Sequence, residues 1–321
     1  MQKTRIGVLR GGPSAEYEVS LKTGQSVLDA LSDDYYDVRD ILIDKSGRWH
    51  SRGVPQEPIR ILEHMDVVFN ALHGAYGEDG GVQKFLDTHN IKYTGSNALG
   101  SAIAMNKILT KDYLKEGPFR HARFKVIEKD ITEDDINELF RTYMQPSVIK
   151  PISGGSSVAT TLVRTRDDMH RAIKEAFEES DDVMIENYVR GREATVAVAD
   201  NFRNESLYVF PPIEIVYTKG DFFDYDEKYS DEGAKEICPA PFDRDTTERL
   251  MEAARFVHST LGLRDYSRSD FIIEKNGDIY FLEVNTLPGL TPTSLVPKAV
   301  DAVGATLPIF LEHLVEQARN R

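Results

Sequence analysis

Residues 266–285 read YSRSDFIIEKNGDIYFLEVN, a segment in which two acids, a guanidinium and an amide recur at spacings that a β-hairpin can gather into one site. Asn276-Gly277 is a strong two-residue hairpin signal, because both central positions of a type I′ turn need positive φ. With these residues as the loop, Lys275 faces Asp278, Asp270 faces Glu283 and Arg268 faces Asn285. Alternation along each strand puts Arg268, Asp270, Glu283 and Asn285 on one face, with opposed Cβ atoms about 4.5–5.5 Å apart. Two carboxylates that close repel each other. The flanking Phe271, Ile272, Ile273, Ile279, Tyr280, Phe281 and Leu282 describe largely buried strands, where an uncompensated pair is costly. A divalent cation resolves the conflict, since oxygen ligands without Cys or His suit Mg²⁺ or Mn²⁺, and Mg²⁺ commonly shares its ligands with nucleotide phosphates. The alternative is a wet edge on which Arg268 alone neutralises the pair, and a slip of one residue in register would separate the carboxylates.

A second constellation suits phosphate. Residues 147–150 read as a strand that ends in PISGGSSV, a turn of small residues whose backbone N–H groups can approach phosphate oxygens, with Lys150 adding a point charge. A glycine-rich turn with no ligand has the same composition. It is not a Walker loop, because the G-x-x-x-x-G-K-[ST] order is missing and a strand follows. Lys107, in a helical stretch after Met105 and Asn106, reads singly as a surface lysine. Glu186 and Glu193 flank a turn between two apolar strands, as nucleoside hydrogen-bond acceptors or as solvated edge residues.

These residues need a scaffold, and 321 residues predict two or three packed domains. The first third alternates strand and helix, with strands at 5–9, 38–43 and 66–72 and helices at 15–31 and 81–89, which implies a parallel sheet with covered faces. Residues 98–116 read as helix, and 122–189 as strand, helix, strand pair, helix and strand. Strands at 193–199 and 206–216 precede an aperiodic stretch at 217–235, long enough to serve as a lid. A helix over 244–261, the hairpin, and a C-terminal helix with Ile309, Phe310, Leu314 and Val315 as its apolar stripe complete the chain. Boundaries near Asn97 and Arg190 divide it into residues 1–97, 98–190 and 191–321. The net charge of −14 argues against a nucleic-acid partner. The first residues hold no apolar run, so neither a signal peptide nor a membrane span is expected there, and the single cysteine, Cys238, suits a reducing compartment.

The ordered motifs GGPSAEYEVSL, ALHGAYGEDGGVQ, YTGS, MNK, KPISGGSSV, IENYVRGRE, FDYDEKY, RSDF and EVNTLPGLTPTSLVP resemble the D-alanine:D-alanine ligases over essentially the whole chain. The resemblance implies an ATP-grasp fold of mixed α/β and α+β class. Its three domains are an N-terminal parallel-sheet domain, a small central α+β domain and a C-terminal sheet domain, with ATP between the last two. It implies that Lys107, Lys150 and Lys228 contact ATP phosphates, that Glu186 and Glu193 hold adenine and ribose, and that Asp270, Glu283 and Asn285 carry two Mg²⁺ (or Mn²⁺) ions. Glu16 is implied to pair with the ammonium of the first D-alanine and to belong to a hydrogen-bonded set with Ser156 and Tyr229, with His73 close to the same subsite. Arg268 and the Gly289 N–H face the oxyanion, and Ser294 and Leu295 receive the second carboxylate. The reaction implied joins two D-alanine molecules through an acyl phosphate in the cytoplasm, in a homodimer that needs no membrane. A D-lactate or D-serine acceptor and a non-catalytic nucleotide-binding regulator are the alternatives, and the intact Arg268, Asp270, Glu283 and Asn285 set speaks against the regulator. The chain departs from the family at Asn106, where Asp is frequent, at Ser267 and Ala159, where glycine is common, and over 152–154, which lacks a charge some relatives carry.

Overall fold

The computed structural model describes residues 3–31, 34–154, 159–217 and 234–321, and its strands form three sheets. The first holds β1 (Thr4–Gly11), β2 (Tyr36–Ile43), β3 (Trp49–Ser51), β4 (Val54–Pro55) and β5 (Val67–Asn70) in the order β4-β3-β2-β1-β5. Strand β1 runs parallel to both β2 and β5, as the strand and helix alternation predicts, with α1 (Tyr17–Ala30), α2 (Pro58–Leu62) and α3 (Gly81–Thr88) in the connections. The edge departs from that expectation, because β3 and β4 pair antiparallel. Strands of two or three residues are too short to show a period of two.

The helix expected over 98–116 is broken into α4 (Ala98–Met105) and α5 (Lys107–Tyr113). Asn106 between them is extended (φ −94°, ψ 107°), and its side-chain oxygen accepts from the N–H groups of Ile108 and Leu109 at 3.1 and 3.0 Å. Asn caps a helix as well as Asp does, so this departure from the family costs the cap nothing and leaves Lys107 as the first residue of a new helix.

The second sheet contains β6 (Phe124–Ile127), β7 (Ser147–Pro151), β8 (Thr161–Val163) and β9 (Val183–Asn187) in the order β6-β9-β7-β8, all antiparallel. Helices α6 (Glu133–Thr142) and α7 (Arg166–Glu179) each start from a reciprocal capping box, Thr132 with Asp135 and Thr165 with Asp168. Their apolar stripes, among them Ile136, Leu139, Met169 and Ile173, bury against Ile149 and Ile185 of the sheet.

The third sheet is antiparallel and orders β13 (Ala234–Ile237), β12 (Ile213–Tyr217), β10 (Gly191–Asp200), β14 (Tyr266–Glu274) and β15 (Ile279–Asn285), with β11 (Leu207–Val209) also paired to β10. The single strand expected over 206–216 is two strands, β11 and β12, because Pro211 and Pro212 supply no backbone N–H and interrupt the ladder. Helix α8 (Arg244–Thr260) covers one face through Leu250, Ala253, Ala254 and Val257. Helices α9 (Leu295–Ala302) and α10 (Leu307–Arg319) follow the hairpin. The apolar stripe of α10 is Phe310, Leu311, Leu314, Val315 and Ala318, and it shares a core with Ile6, Val8 and Phe69 of the first sheet. Ile309 is instead 54% exposed, so its place in the expected stripe is corrected. Among the described residues no helix is long and apolar enough to cross a membrane.

The β14–β15 hairpin reaches the expected pairing by a different route. Gly277 N–H donates to Glu274 O and Glu274 N–H to Asp278 O, both at 2.9 Å, so the loop is the three residues Lys275, Asn276 and Gly277. Only Gly277 has positive φ (88°), the pattern of a type I turn closed by a left-handed glycine. Near the turn every pair is therefore offset by one from the two-residue expectation, Ile273 lying opposite Ile279 and Phe271 opposite Phe281. A bulge then leaves Leu282 without a partner, and beyond it Asp270 faces Glu283 and Arg268 faces Asn285. The two offsets cancel. Burial follows the bulge: Ile279, Phe281 and Val284 sit in the core under α8, while Leu282 and Glu283 both turn to the opposite face.

Candidate active site

That opposite face is the floor of a cleft of about 860 Å³. A row of residues crosses the sheet in register, from Ile272 through Glu193 and Ile215 to Glu236, and all four line the cleft. Arg268 and Asp270 continue the same face along β14. Val148 and Lys150 of β7 and Glu186 of β9 supply a second wall from the central sheet, and Glu16 and Gly74 come from loops of the first sheet. Two sheets and a third loop system thus enclose one space, with polar groups converging on it.

The carboxylate end is held tightly. Arg268 grips Asp270 through Nε at 3.0 Å and Nη2 at 2.8 Å, a bidentate pair, and the Thr195 hydroxyl donates to the same carboxylate. Burial opposes the charge of Arg268, yet Asp270, with Glu283 and Glu78 beyond it, outweighs burial and raises its pKa. Glu283 has Lys107 Nζ at 3.8 Å, and Lys107 also donates to Gly154 O at 3.0 Å. The backbone N–H of Lys107 donates to Ile152 O, which ties the start of α5 to the glycine turn. Asn285 lies in a small adjoining cleft that shares Lys107 and Glu283 with the main one. Among the described residues no three His, Cys, Asp or Glu side chains form a metal cage by themselves. Two carboxylates and an amide, all oxygen donors beside the Lys107 ammonium, have the chemistry to hold an ion that completes its sphere with other oxygen ligands.

The lysine end centres on Glu186, which is 3% exposed. Its Oε1 accepts from Lys111 at 2.7 Å and its Oε2 from Lys150 at 2.5 Å. Burial alone would raise the Glu186 pKa, but the two ammonium groups together lower it. Glu193 accepts a hydrogen bond from the Tyr217 hydroxyl. At the Glu16 end of the cleft, Ser14 Oγ donates to His73 O at 2.6 Å and accepts from the Glu16 N–H at 3.2 Å, which fixes the loop that carries Glu16. His73 itself is buried behind that loop, its Nε2 2.8 Å from Thr23 Oγ1, and burial pushes its pKa down to about 4. It is not on the cleft wall.

Gly289 leaves room for Ser294, since a Cβ there would lie 2.8 Å from Ser294 Oγ. Ser294 Oγ is engaged with Thr291, and Leu295, which lines the cleft, is the first residue of α9, so a helix N-terminus lies beside the cleft, a position that suits a carboxylate. Gly289 and Ser294 stand just behind the wall. Ser156, Lys228 and Tyr229 lie outside the described residues, as does most of the aperiodic stretch over 217–235. Ala159 has φ 55°, a left-handed conformation that glycine adopts at less cost. Ser267 is buried on the far side of β14, where Oγ meets His258 Nδ1 at 2.7 Å.

Two residues of the site escaped sequence reasoning. Lys111 stands one helical turn after Lys107, a spacing that could have flagged it. Glu78, in the GEDGG run, accepts from the Gly74 N–H at 2.7 Å and the Leu287 N–H at 3.3 Å, and burial, reinforced by Glu16, raises its pKa to about 8. Nothing in its sequence neighbours announces that burial.

A nucleotide-sized cleft between an antiparallel C-terminal sheet and a small central sheet, behind a parallel-sheet domain, is the ATP-grasp fold. The family model described as "D-ala D-ala ligase C-terminus" matches residues 100–316, and that described as "D-ala D-ala ligase N-terminus" matches residues 5–61 and 50–96. The chain is 38% identical over 298 residues to the D-alanine–D-alanine ligase of Geobacter sulfurreducens, covering 93% of this chain and 88% of the relative. It superposes on the VanG D-Ala:D-Ser ligase from Enterococcus faecalis with a TM-score of 0.84 at 29% identity, over 99% of this chain and 100% of that one. The D-alanine–D-alanine ligase from Bacillus anthracis complexed with ATP gives a TM-score of 0.79 at 31% identity, over 100% and 98%. The chain belongs to the D-alanine–D-alanine ligase family.

Proposed function

We propose that the protein joins two D-alanine molecules with ATP, forming D-alanyl-D-alanine, ADP and phosphate for peptidoglycan precursors. The observation that carries this reading is the convergence on one cleft of Arg268, the Asp270 and Glu283 pair, and Lys107 and Lys150. Phosphoryl transfer needs placement and charge neutralisation rather than a protein nucleophile. Glu16 binds the ammonium of the first D-alanine, with Ser156 and Tyr229 assigned to the same end and His73 supporting the loop. The carboxylate oxygen of that D-alanine attacks the γ-phosphorus, and ADP leaves. The amine of the second D-alanine, held by its carboxylate at Ser294 and the Leu295 N–H, then attacks the acyl carbon. Phosphate departs and the amine releases a proton. Arg268 and the Gly289 N–H face the oxygen that gains charge in that step.

Lys107, Lys150 and Lys228 neutralise the phosphates, while Glu186 and Glu193 accept from adenine and ribose. Two Mg²⁺ or Mn²⁺ ions held by Asp270, Glu283 and Asn285 would supply further charge neutralisation at the phosphates. The cytoplasm, where ATP is made, suits this reaction, and a homodimer is the assembly proposed.

The test is phosphate release from ATP with Mg²⁺, measured with and without D-alanine, with the product weighed by mass spectrometry. No dependence on D-alanine would overturn the reading. The likeness to a D-Ala:D-Ser ligase favours D-serine as a second acceptor to examine. An equimolar D-alanine, D-serine and D-lactate mixture decides between them.

A further inference from the structure

Glu186 has more cationic company than a nucleotide contact needs. Both of its oxygens are taken, one by Lys111 and one by Lys150. The two lysines differ in what else they can reach. Lys150 lines the cleft, as Glu186 does. Lys111 is 4% exposed and lies behind Glu186 on α5, with its ammonium 5.8 Å from the centre of the Phe124 ring. Lys150 sits diagonal to Glu186 across the β7–β9 ladder, in which Val148 pairs with Glu186 and Lys150 with Met184. In this structure, then, the lysine assigned to phosphate is bound to the carboxylate assigned to the base.

A phosphate can recruit Lys150 only by drawing it from Glu186. If Lys150 were the sole counter-ion, that move would strand a buried carboxylate, which is strongly unfavourable. Lys111 removes the obstacle, because it is already in contact with the other oxygen and, unlike Lys150, does not line the cleft. Its distance from the cleft is what suits it to the task, since a lysine on the wall would itself be drawn to the phosphates.

We propose that Lys111 is a positioning residue for nucleotide binding: it keeps Glu186 paired while Lys150 changes partner from Glu186 to a phosphate oxygen. This rests on the reading of Lys150 and Glu186 as nucleotide contacts.

The experiment is calorimetric titration of the full-length protein with Mg²⁺ and a non-hydrolysable ATP analogue whose β,γ-bridge is an imide. Lys111→Met, checked for folding by thermal unfolding, should weaken binding by about tenfold or more, whereas Lys111→Arg should restore most of the affinity. With saturating ATP, the KM for D-alanine should be unchanged in Lys111→Met. In a Glu186→Gln background the neutral amide no longer needs a counter-ion, so adding Lys111→Met should change the Kd by no more than about twofold. A folded Lys111→Met that binds the analogue normally overturns the proposal. So does an equal loss with and without the Glu186 carboxylate, which would make Lys111 a purely structural residue. Should Lys111→Met not fold, Lys111→Gln, which keeps a donor to Oε1 without the charge, takes its place with the same expectations. Lys150→Met separates the two levels: if it leaves the Kd unchanged, the phosphate assignment itself fails. If it weakens binding while the Lys111 variants do not, only the partner exchange fails.

Discussion

Asp270 and Glu186 are both buried carboxylates on the wall of one cleft, but they find their counter-charges in different ways. Asp270 is gripped by Arg268, two residues earlier on the same strand. Glu186 is held by Lys150 from a neighbouring strand and by Lys111 from a helix 75 residues earlier in the chain. The first arrangement is a property of a hairpin and exists as soon as the hairpin forms. The second exists only when α5 docks against the central sheet. On the roles proposed above, chemistry that must keep its geometry during the reaction is placed on the self-contained element, and chemistry that must exchange partners is shared between elements.

The sharpest way to break this contrast is at the hairpin. Glu283→Gln keeps shape and removes one charge, so the variant should fold but lose Mg²⁺-dependent turnover, the largest effect expected. Full activity at ordinary Mg²⁺ would remove the metal assignment. Arg268→Met should lower kcat by roughly 10²–10³, the scale for losing one preorganised oxyanion donor. A change confined to KM would make Arg268 a ground-state binding group instead.

The loop that carries Glu16 offers a pH test. His73 is buried and its pKa is pushed down to about 4 from the ordinary 6.5, so the unfolded chain takes up a proton first as pH falls. Stability from this group is therefore full above about pH 6.5 and declines towards pH 4, by up to about 3 kcal/mol. His73→Gln should lose that part of the acid slope in urea unfolding between those pH values. An identical slope in both proteins would show that His73 does not carry it.

The smallest effect belongs to Ala159. Relief of its left-handed backbone by Ala159→Gly is worth roughly 1 kcal/mol, partly offset by the entropy glycine loses on folding. A clear fall in thermal stability would contradict the strain.

How far the sequence disclosed this molecule depends on the range of the signal. The parallel order of β1, β2 and β5 was legible because each strand is followed by an amphipathic helix or a turn. The break at Asn106 was not, since a helix-capping residue inside a helical pattern looks like an exposed polar position. Asp270 and Glu283 were placed face to face by a turn of the wrong length, and the pairing holds only because Leu282 is left over. Neither error had a local signature: Asn-Gly suits both turns, and nothing in FIIEKNGDIYFLE marks a bulge. Glu78 was missed because its role comes from tertiary burial, which no window of sequence contains, and for Lys111 the only local signal is its spacing of one helical turn from Lys107.

The bulge at Leu282 makes the hairpin obey a rule of parity. Between the turn and the Asp270–Glu283 pair, the side-chain faces count residues modulo two, and the bulge is the one odd step that brings the count right. Adding or deleting one residue in that stretch would send a carboxylate into the apolar layer under α8 and bring a phenylalanine to the cleft. Adding two would lengthen the hairpin tip and leave both carboxylates on the cleft face. In a set of sequences from this family, then, length differences within the paired strands between the turn and the carboxylates should come in even numbers unless the bulge is gained or lost with them, while the loop itself can change by any number. The tip itself, exposed at Lys275 and Asn276, is free to vary in content and length, and the constraint of phase falls on the strands it joins.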